Sequence, residues 1–215
     1  MSRNKIYAIV EGQGEANQPL GGGQPAVVVL IGKLLTELSG WDLLYPAERR
    51  PPFRMSYGNF FKEGKLENAI KYHQKFEDCA ALLILLDMDD DCPADKAREL
   101  VERINRMEAL PFSVVVVGAK REYESWFLAS LETIHSGRIY DGESESRRDA
   151  KGWLRKNFKY KPTRHQAEYT RMALACERSR SFRRLYHAFQ ELIDAARQGQ
   201  IIITPHFSTW TYVVG

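Results

Sequence analysis

The chain contains 215 residues, 44% of them hydrophobic and 27% charged, and this composition is that of a globular protein with one well-buried core rather than a disordered chain. No stretch of about 18 apolar residues occurs, and the first apolar segment reaches Glu11 too early for a signal peptide, so we expect a cytoplasmic protein that does not enter a membrane. Three cysteines at scattered positions argue against a disulfide framework or a zinc knuckle, and the formal net charge of +3 is small.

The first two thirds of the chain alternate apolar runs with amphipathic segments. Strands are predicted at residues 6–10, 80–87 and 112–117, with a shorter strand near 43–45 or 53–55. Helices with an apolar face are predicted at residues 25–38, 66–76, 93–104 and 123–134. Continuous apolar strands between amphipathic helices are typical of a mostly parallel sheet covered by helices on both faces, so we predict an α/β fold.

The last third of the chain lacks this alternation. Helices are predicted at about residues 148–157, 165–176 and 181–197. We therefore divide the chain into an α/β domain at residues 1–136, a basic helical extension at residues 137–199 that packs on it, and a C-terminal tail at residues 200–215. The tail begins with an Ile-Ile-Ile-Thr run, which is compatible with a late strand or with a docking segment.

Positive charge is concentrated in the helical extension. From Arg147 to Arg184 the chain has 13 Lys and Arg residues against 3 Asp and Glu residues, so the rest of the chain is net acidic. Aromatic residues interleave with these cations, and this mixture is typical of surfaces that follow phosphates and stack bases. The alternative is a set of solvated helix faces with the aromatic rings turned inward, which is favoured for Phe182 because it lies on its helix's apolar face.

Acidic residues follow three of the predicted strands. Glu11 follows the first, Asp87 and Asp89 close the strand at residues 80–87, and Glu122 and Glu124 follow the strand at residues 112–117. The carboxyl ends of parallel strands share one edge of the sheet, where ligands usually bind. Strand alternation predicts that Asp87 and Asp89 point the same way, and carboxylates this close repel unless a cation lies between them. Hard oxygen ligands favour Mg²⁺ or Mn²⁺ at this edge.

Several of the acids have simpler explanations. Glu15 is most simply a solvated loop residue, and Asp90 or Asp91 a partner for the N-terminus of the helix that begins near residue 93. Glu122 and Glu124 are most simply first-turn helix acids. These readings are preferred for each residue taken alone, whereas Glu11, Asp87 and Asp89 together favour a metal site because three converging buried acids need a compensating charge.

Two motifs resemble those of Toprim domains. The segment Val10-Glu11-Gly12-Gln13-Gly14-Glu15 resembles their VEGxxE motif, and Asp87-Met88-Asp89 resembles their DxD motif, each after a strand and in the correct order. The segment Glu122 to Ala129 resembles an element of a group of small uncharacterised bacterial Toprim-like proteins, which are related to the catalytic domain of OLD (overcoming lysogenisation defect) nucleases. Lys151-Gly152, His165-Gln166 and residues 179–185 also match this group, so the resemblance covers about residues 5–195.

The resemblance implies a Toprim, Rossmann-like fold and metal-dependent chemistry on a phosphodiester. Glu11 takes the place of the general acid/base or metal ligand, and Asp87 and Asp89 take the place of the pair that holds Mg²⁺ or Mn²⁺. The candidates for ligands of a second ion are Glu15, Asp91, Glu122 and Glu124. Lys151 is the candidate for a contact with the phosphate or the transition state.

Three other classes of protein fit the residues less well. A dinucleotide-binding loop would need glycine at Asn17, and no Gly-Lys-Ser or Gly-Lys-Thr follows the loop. An aspartyl-phosphate phosphatase would have Gly-Thr where Asp90 and Asp91 follow Asp89. The five histidines lack the spacing of a zinc hydrolase.

We therefore expect a Mg²⁺-dependent nuclease that binds one or two ions and cleaves DNA or RNA. Its expected role is that of an effector in a bacterial defence system. A homodimer is among the expected assemblies. The alternative is a non-catalytic or regulatory subunit of the same fold that binds a partner ATPase.

Overall fold

The computed structural model describes residues 3–12, 16, 23–134, 137–161 and 172–206. The strands are β1 (Lys5–Val10), β2 (Tyr45–Pro46), β3 (Phe53–Arg54), β4 (Cys79–Asp87), β5 (Ser113–Ala119) and β6 (Ile203–Thr204). The helices are α1 (Ala26–Glu37), α2 (Tyr57–Phe61), α3 (Lys65–Gln74), α4 (Pro93–Asn105), α5 (Ser125–Ala129), α6 (Leu131–Ile134), α7 (Ala150–Phe158), α8 (Met172–Arg178) and α9 (Arg180–Arg197). A short 3₁₀ helix covers Ser144–Ser146.

The six described strands form one parallel sheet. Their order is β2-β1-β4-β5-β6, and β3 pairs with the far end of β1. In the registers, Val10 lies beside Leu85 and Asp87 lies beside Ala119. The segments after β1, β4 and β5 therefore leave the sheet at the same edge, and the predicted α/β fold is confirmed.

Both faces of the sheet are covered, which explains the continuous apolar runs of the central strands. One face packs against α1, α5 and α9, and the other packs against α3 and α4. Helix α9 presents an apolar stripe at helical spacing, including Phe182, Leu185 and Phe189, and each of these is fully buried. Since full burial of such a side chain stabilises by about 1.5–3 kcal/mol, α9 is a major part of the fold's core. The helical extension thus shares one hydrophobic core with the sheet.

Three details differ from the sequence-based expectation or go beyond it. The helix predicted at residues 123–134 is two helices, α5 and α6, because the backbone at Ser130 leaves the helical region with φ −127° and ψ 37°. The short strands near residues 43–45 and 53–55 were alternatives, and strands β2 and β3 form near both positions. The tail contributes β6 beside β5, while its residues 207–215 lie outside the described part of the chain.

Among the described residues, no helix has both the length and the apolar character that crossing a membrane requires.

Candidate functional site

The ends of β1 and β4 are tied together through an acidic side chain. The backbone N–H of Asp87 donates a hydrogen bond to Glu11 Oε2 over 3.2 Å, and the backbone N–H of Glu11 donates to the carbonyl of Leu85, also over 3.2 Å. Glu11 is half-buried at this edge. The first two acids of the predicted site therefore lie together, although they are far apart in the sequence.

The carboxylate of Asp87 reaches toward the neighbouring strand. Its Oδ1 accepts a hydrogen bond of 2.8 Å from the backbone N–H of Tyr123, in the link between β5 and α5. Tyr123 is fully buried, so this donor is held rigidly. Asp87 thus connects the ends of three adjacent strands, and one of its oxygens is held in a single orientation.

Met88 locks the segment that follows Asp87. Its side chain is fully buried and its backbone N–H donates to the carbonyl of Ala119 over 3.0 Å. The sulfur-containing side chain packs against Gly118, where an added Cβ would lie 2.1 Å from Met88 Cε and 2.6 Å from its Cγ. A side chain at position 118 would therefore displace Met88, whose burial holds the DxD segment against β5.

The backbone turns away from strand geometry at Asp89. Strand β4 ends at Asp87, and Asp89 has φ +42°, in the left-handed region that is uncommon for residues other than glycine. The backbone N–H of Asp89 donates to the carbonyl of Arg121 over 3.0 Å, and Arg121 also has a positive φ of 67°. The strand alternation from which we predicted that Asp87 and Asp89 share a side therefore stops before Asp89.

Tyr57 is a site residue that the sequence reasoning missed. Its phenol O–H donates to Asp91 Oδ2. Burial raises the pKa of Tyr57, and the hydrogen bond to Asp91 and the negative charges of Asp91, Glu11 and Asp89 raise it further. Tyr57 therefore contacts Asp91 directly, and the charges of Glu11 and Asp89 act on the same phenol. The only local signal was an aromatic residue soon after the predicted strand at residues 53–55.

Asp90 belongs to an ion-pair cluster beside the site. Its Oδ1 contacts Arg121 Nη1 and lies 2.7 Å from Arg148 Nη2. Lys120 adds a third cation to this rim, since its Nζ donates to the backbone carbonyl of Asp91 over 3.1 Å. The carboxylate edge is therefore bordered by positive charge from the β5–α5 link and from the segment before α7.

Glu122 and Glu124 gather at the start of α7. Glu122 Oε2 accepts the backbone N–H of Lys151 over 3.1 Å, and Glu124 Oε1 lies 3.1 Å from Lys151 Nζ. Glu124 is only 1% exposed, so this is an ion pair with a buried partner. The sequence-based prediction gave Lys151 a contact with the substrate phosphate, whereas in the structure its ammonium group pairs with Glu124.

Where the structure describes the helical extension, its aromatic residues mostly face the core. Phe182 and Tyr160 are buried, and Trp153, Phe158 and Tyr186 pack partly buried against the same core. The inward interpretation of Phe182 is confirmed. Glu15, the remaining candidate for a second ion, lies outside the described residues.

The acids of this edge have the chemistry of a hard-cation site. Glu11, Asp87 and Asp89 offer carboxylate oxygens, the donors that Mg²⁺ and Mn²⁺ prefer. Over residues 3–12, 16, 23–134, 137–161 and 172–206, no group of three or more His, Cys, Asp or Glu side chains already surrounds one point as a metal centre would. The donor types fit a divalent cation, and the hydrogen bond that joins Glu11 to Asp87 runs from the backbone N–H of Asp87 to the Glu11 carboxylate.

Comparison with known proteins does not assign the chain to a family. No family model matches it, and no curated protein matches it significantly. Any activity must therefore be inferred from the residues at the sheet edge.

Proposed function

We propose that this protein is a Toprim-type nuclease that uses Mg²⁺ or Mn²⁺ to hydrolyse phosphodiester bonds of DNA or RNA, as an effector of a bacterial defence system. The observation that supports this most is the hydrogen bond from the backbone N–H of Asp87 to the Glu11 carboxylate, which joins the ends of adjacent parallel strands at the edge where ligands usually bind. Asp91 accepts the phenol O–H of Tyr57, and the negative charges of Glu11 and Asp89 help to raise the pKa of the same phenol.

The chain's own residues would hold and orient the cation. Glu11, Asp87 and Asp89 are its proposed ligands, and the backbone N–H of Tyr123 keeps the Asp87 carboxylate in place. When bound, one or two such ions would supply an activated water and stabilise the leaving oxygen of the phosphodiester. Tyr57 would orient Asp91 through its O–H donor.

The cations at the rim support a polyanionic substrate. Lys120, Arg121 and Arg148 lie beside the carboxylates through their contacts with Asp90 and Asp91. Arg148 is 74% exposed and so is available to a phosphate group. Arg and Lys contacts of this kind attract a nucleic-acid backbone in a salt-dependent manner.

A cleavage assay with paired variants tests the proposal. The purified protein is incubated with plasmid DNA, single-stranded DNA and RNA in Mg²⁺ or Mn²⁺, and Asp87→Asn and Asp89→Asn are compared with Asp95→Asn. Asp95 is an exposed acid in the first turn of α4 and controls for the loss of one charge. We expect the two site variants to lose at least about a hundredfold in cleavage rate, because each removes a charge needed in the transition state. Equal cleavage by all four proteins would refute the assignment.

A second candidate is a non-catalytic subunit of the same type that binds a partner ATPase. The observation that favours it is that the outer acids already bind groups of the protein itself: Asp91 binds Tyr57, and Glu122 and Glu124 bind Lys151. Such a subunit would form a stable complex with the ATPase on co-purification and would cleave no substrate even when assembled.

A further inference from the structure

An exposed aromatic pair lies at the edge of the sheet that leads to Glu11. Phe53 is 36% exposed and Tyr72 is 46% exposed, and their ring centroids are 6.0 Å apart. Phe53 comes from β3 and Tyr72 from α3. Two large aromatic side chains that remain exposed side by side indicate a contact surface rather than a part of the core.

We propose that Phe53 and Tyr72 form a base-stacking platform for an unpaired strand of nucleic acid that runs along β3 to the carboxylates. The inference rests on the proposed function, since it names the form of substrate that the site would receive. Phe53 lies beside Ile9 in the register, two residues before Glu11. At a strand rise of about 3.3 Å per residue, the platform begins about 7 Å from the level of Glu11, which is about two stacked nucleotides.

The segment that carries Phe53 has a charge that complements a phosphate backbone. The exposed segment 48–54 carries Arg49, Arg50 and Arg54 against the single acid Glu48, and Arg54 lies beside Val10, next to Glu11. Arg50 stacks over Phe76, which belongs to the same aromatic group, with its guanidinium carbon 4.0 Å from the ring centroid.

An unpaired strand fits this surface better than a duplex does. Stacking on an aromatic face requires a base that is free of its neighbours, and the bases of a duplex are stacked on one another inside the helix. A protein partner would instead need apolar area, whereas the segment that carries Phe53 has three arginines and one acid.

Fluorescence anisotropy tests the platform without any cleavage. The full chain is titrated into a fluorescein-labelled single-stranded DNA of mixed sequence and into the same strand paired with its complement, both in EDTA. The test variants are Phe53→Leu and Tyr72→Leu, which keep an apolar side chain and remove the ring. Phe53→Tyr and Tyr72→Phe keep the ring, and Ile139→Ala and Ile201→Ala replace side chains that are 68% and 55% exposed elsewhere on the surface.

We expect each Leu variant to weaken single-strand binding at least about fivefold and duplex binding less than about twofold, because one stacked base is lost while phosphate contacts remain. The ring-keeping variants and the controls should bind like the unaltered protein. Unchanged single-strand affinity in both Leu variants, or equal losses for both DNA forms, would overturn the proposal. A different result would also overturn it: the ring-keeping variants bind an ATPase partner, the Leu variants do not, and the DNA affinity is the same in all of them. Thermal unfolding of each variant identifies any variant that fails to fold. In that case the affinities of Phe53→Tyr and Tyr72→Phe for the two DNA forms decide whether the proposal holds.

The outcome of the cleavage assay is independent of the outcome of the binding titration. Selective single-strand losses in a protein that cuts nothing would support the platform and refute the nuclease, whereas cleavage with unchanged binding in the Leu variants would do the reverse.

Discussion

The ion pair between Lys151 and Glu124 provides a prediction that separates a structural role of Lys151 from a direct contact with substrate. The perturbation is Lys151→Met, which keeps a long apolar side chain and removes the ammonium group. Glu124 would stay in the fold at 1% exposure without its cation at 3.1 Å. Removing the cation that pairs with a carboxylate at such a position is costly.

The magnitude follows from the burial of the two partners. Removing one partner of a fully buried pair costs about 3–5 kcal/mol, and removing an exposed pair costs about 0–1 kcal/mol. The Lys151 side chain is 30% exposed, so we expect a loss of about 2–3 kcal/mol in the free energy of unfolding. In a chain of this size that corresponds to a fall in melting temperature of roughly 4–12 °C.

Urea unfolding, followed by circular dichroism and tryptophan fluorescence, gives the free energies for a double-mutant cycle. We expect Lys151→Met together with Glu124→Gln to recover about 1–2 kcal/mol relative to additive losses, because the buried charge is removed with its partner. Lys96→Met is a matched control, since Lys96 is also 30% exposed and pairs with a glutamate at 3.2 Å, but Glu99 is 45% exposed. That variant should lose less than about 1 kcal/mol.

The reasoning is refuted if the cycle gives no coupling and Lys151→Met is as stable as the control. Unchanged stability with lost cleavage would instead assign Lys151 to the substrate.

Other variants test the remaining contacts of the site and the core. Gly118→Ala should destabilise by about 1–3 kcal/mol through overpacking against Met88, and in thermal unfolding the double variant with Met88→Ala should lose less stability than the sum of the two single losses. Tyr57→Phe removes the donor to Asp91, so calorimetric titration should show Mn²⁺ affinity about tenfold weaker with little change in stability. Burial lowers the pKa of His73 below its ordinary value, so its neutral form is favoured by folding and the stability it contributes is lost as pH falls below about 6.5. His73→Leu should therefore flatten the dependence of the unfolding free energy between about pH 7 and pH 5, and an unchanged slope would contradict the role of His73.

Local sequence patterns predicted most of the secondary structure. The runs that form β1, β4 and β5 are apolar at nearly every position, which is typical of strands buried on both faces. In α1, α3, α4 and α9, the helical spacing of the apolar residues specifies which side of each helix is buried. The ends of these strands could therefore be predicted as well, and so could the position of Glu11 and Asp87 at one edge of the sheet.

The backbone conformation beyond the strand ends could not be predicted from these local patterns. The positive φ of Asp89 depends on its hydrogen bond to Arg121, and the separation of α5 from α6 depends on the packing around Ser130. Alternation holds only while the backbone is extended, so it gave the wrong basis for placing Asp89 beside Asp87.

The sequence by itself determined an α/β chain with acids at the ends of its parallel strands, because side-chain periodicity is a local property of the backbone. Only the tertiary structure decided that Tyr57 binds Asp91, that Lys151 binds Glu124, and that the rings of Phe53 and Tyr72 lie side by side. These contacts join distant segments through strand register and helix packing, and neither is specified by the residue types at the positions that meet.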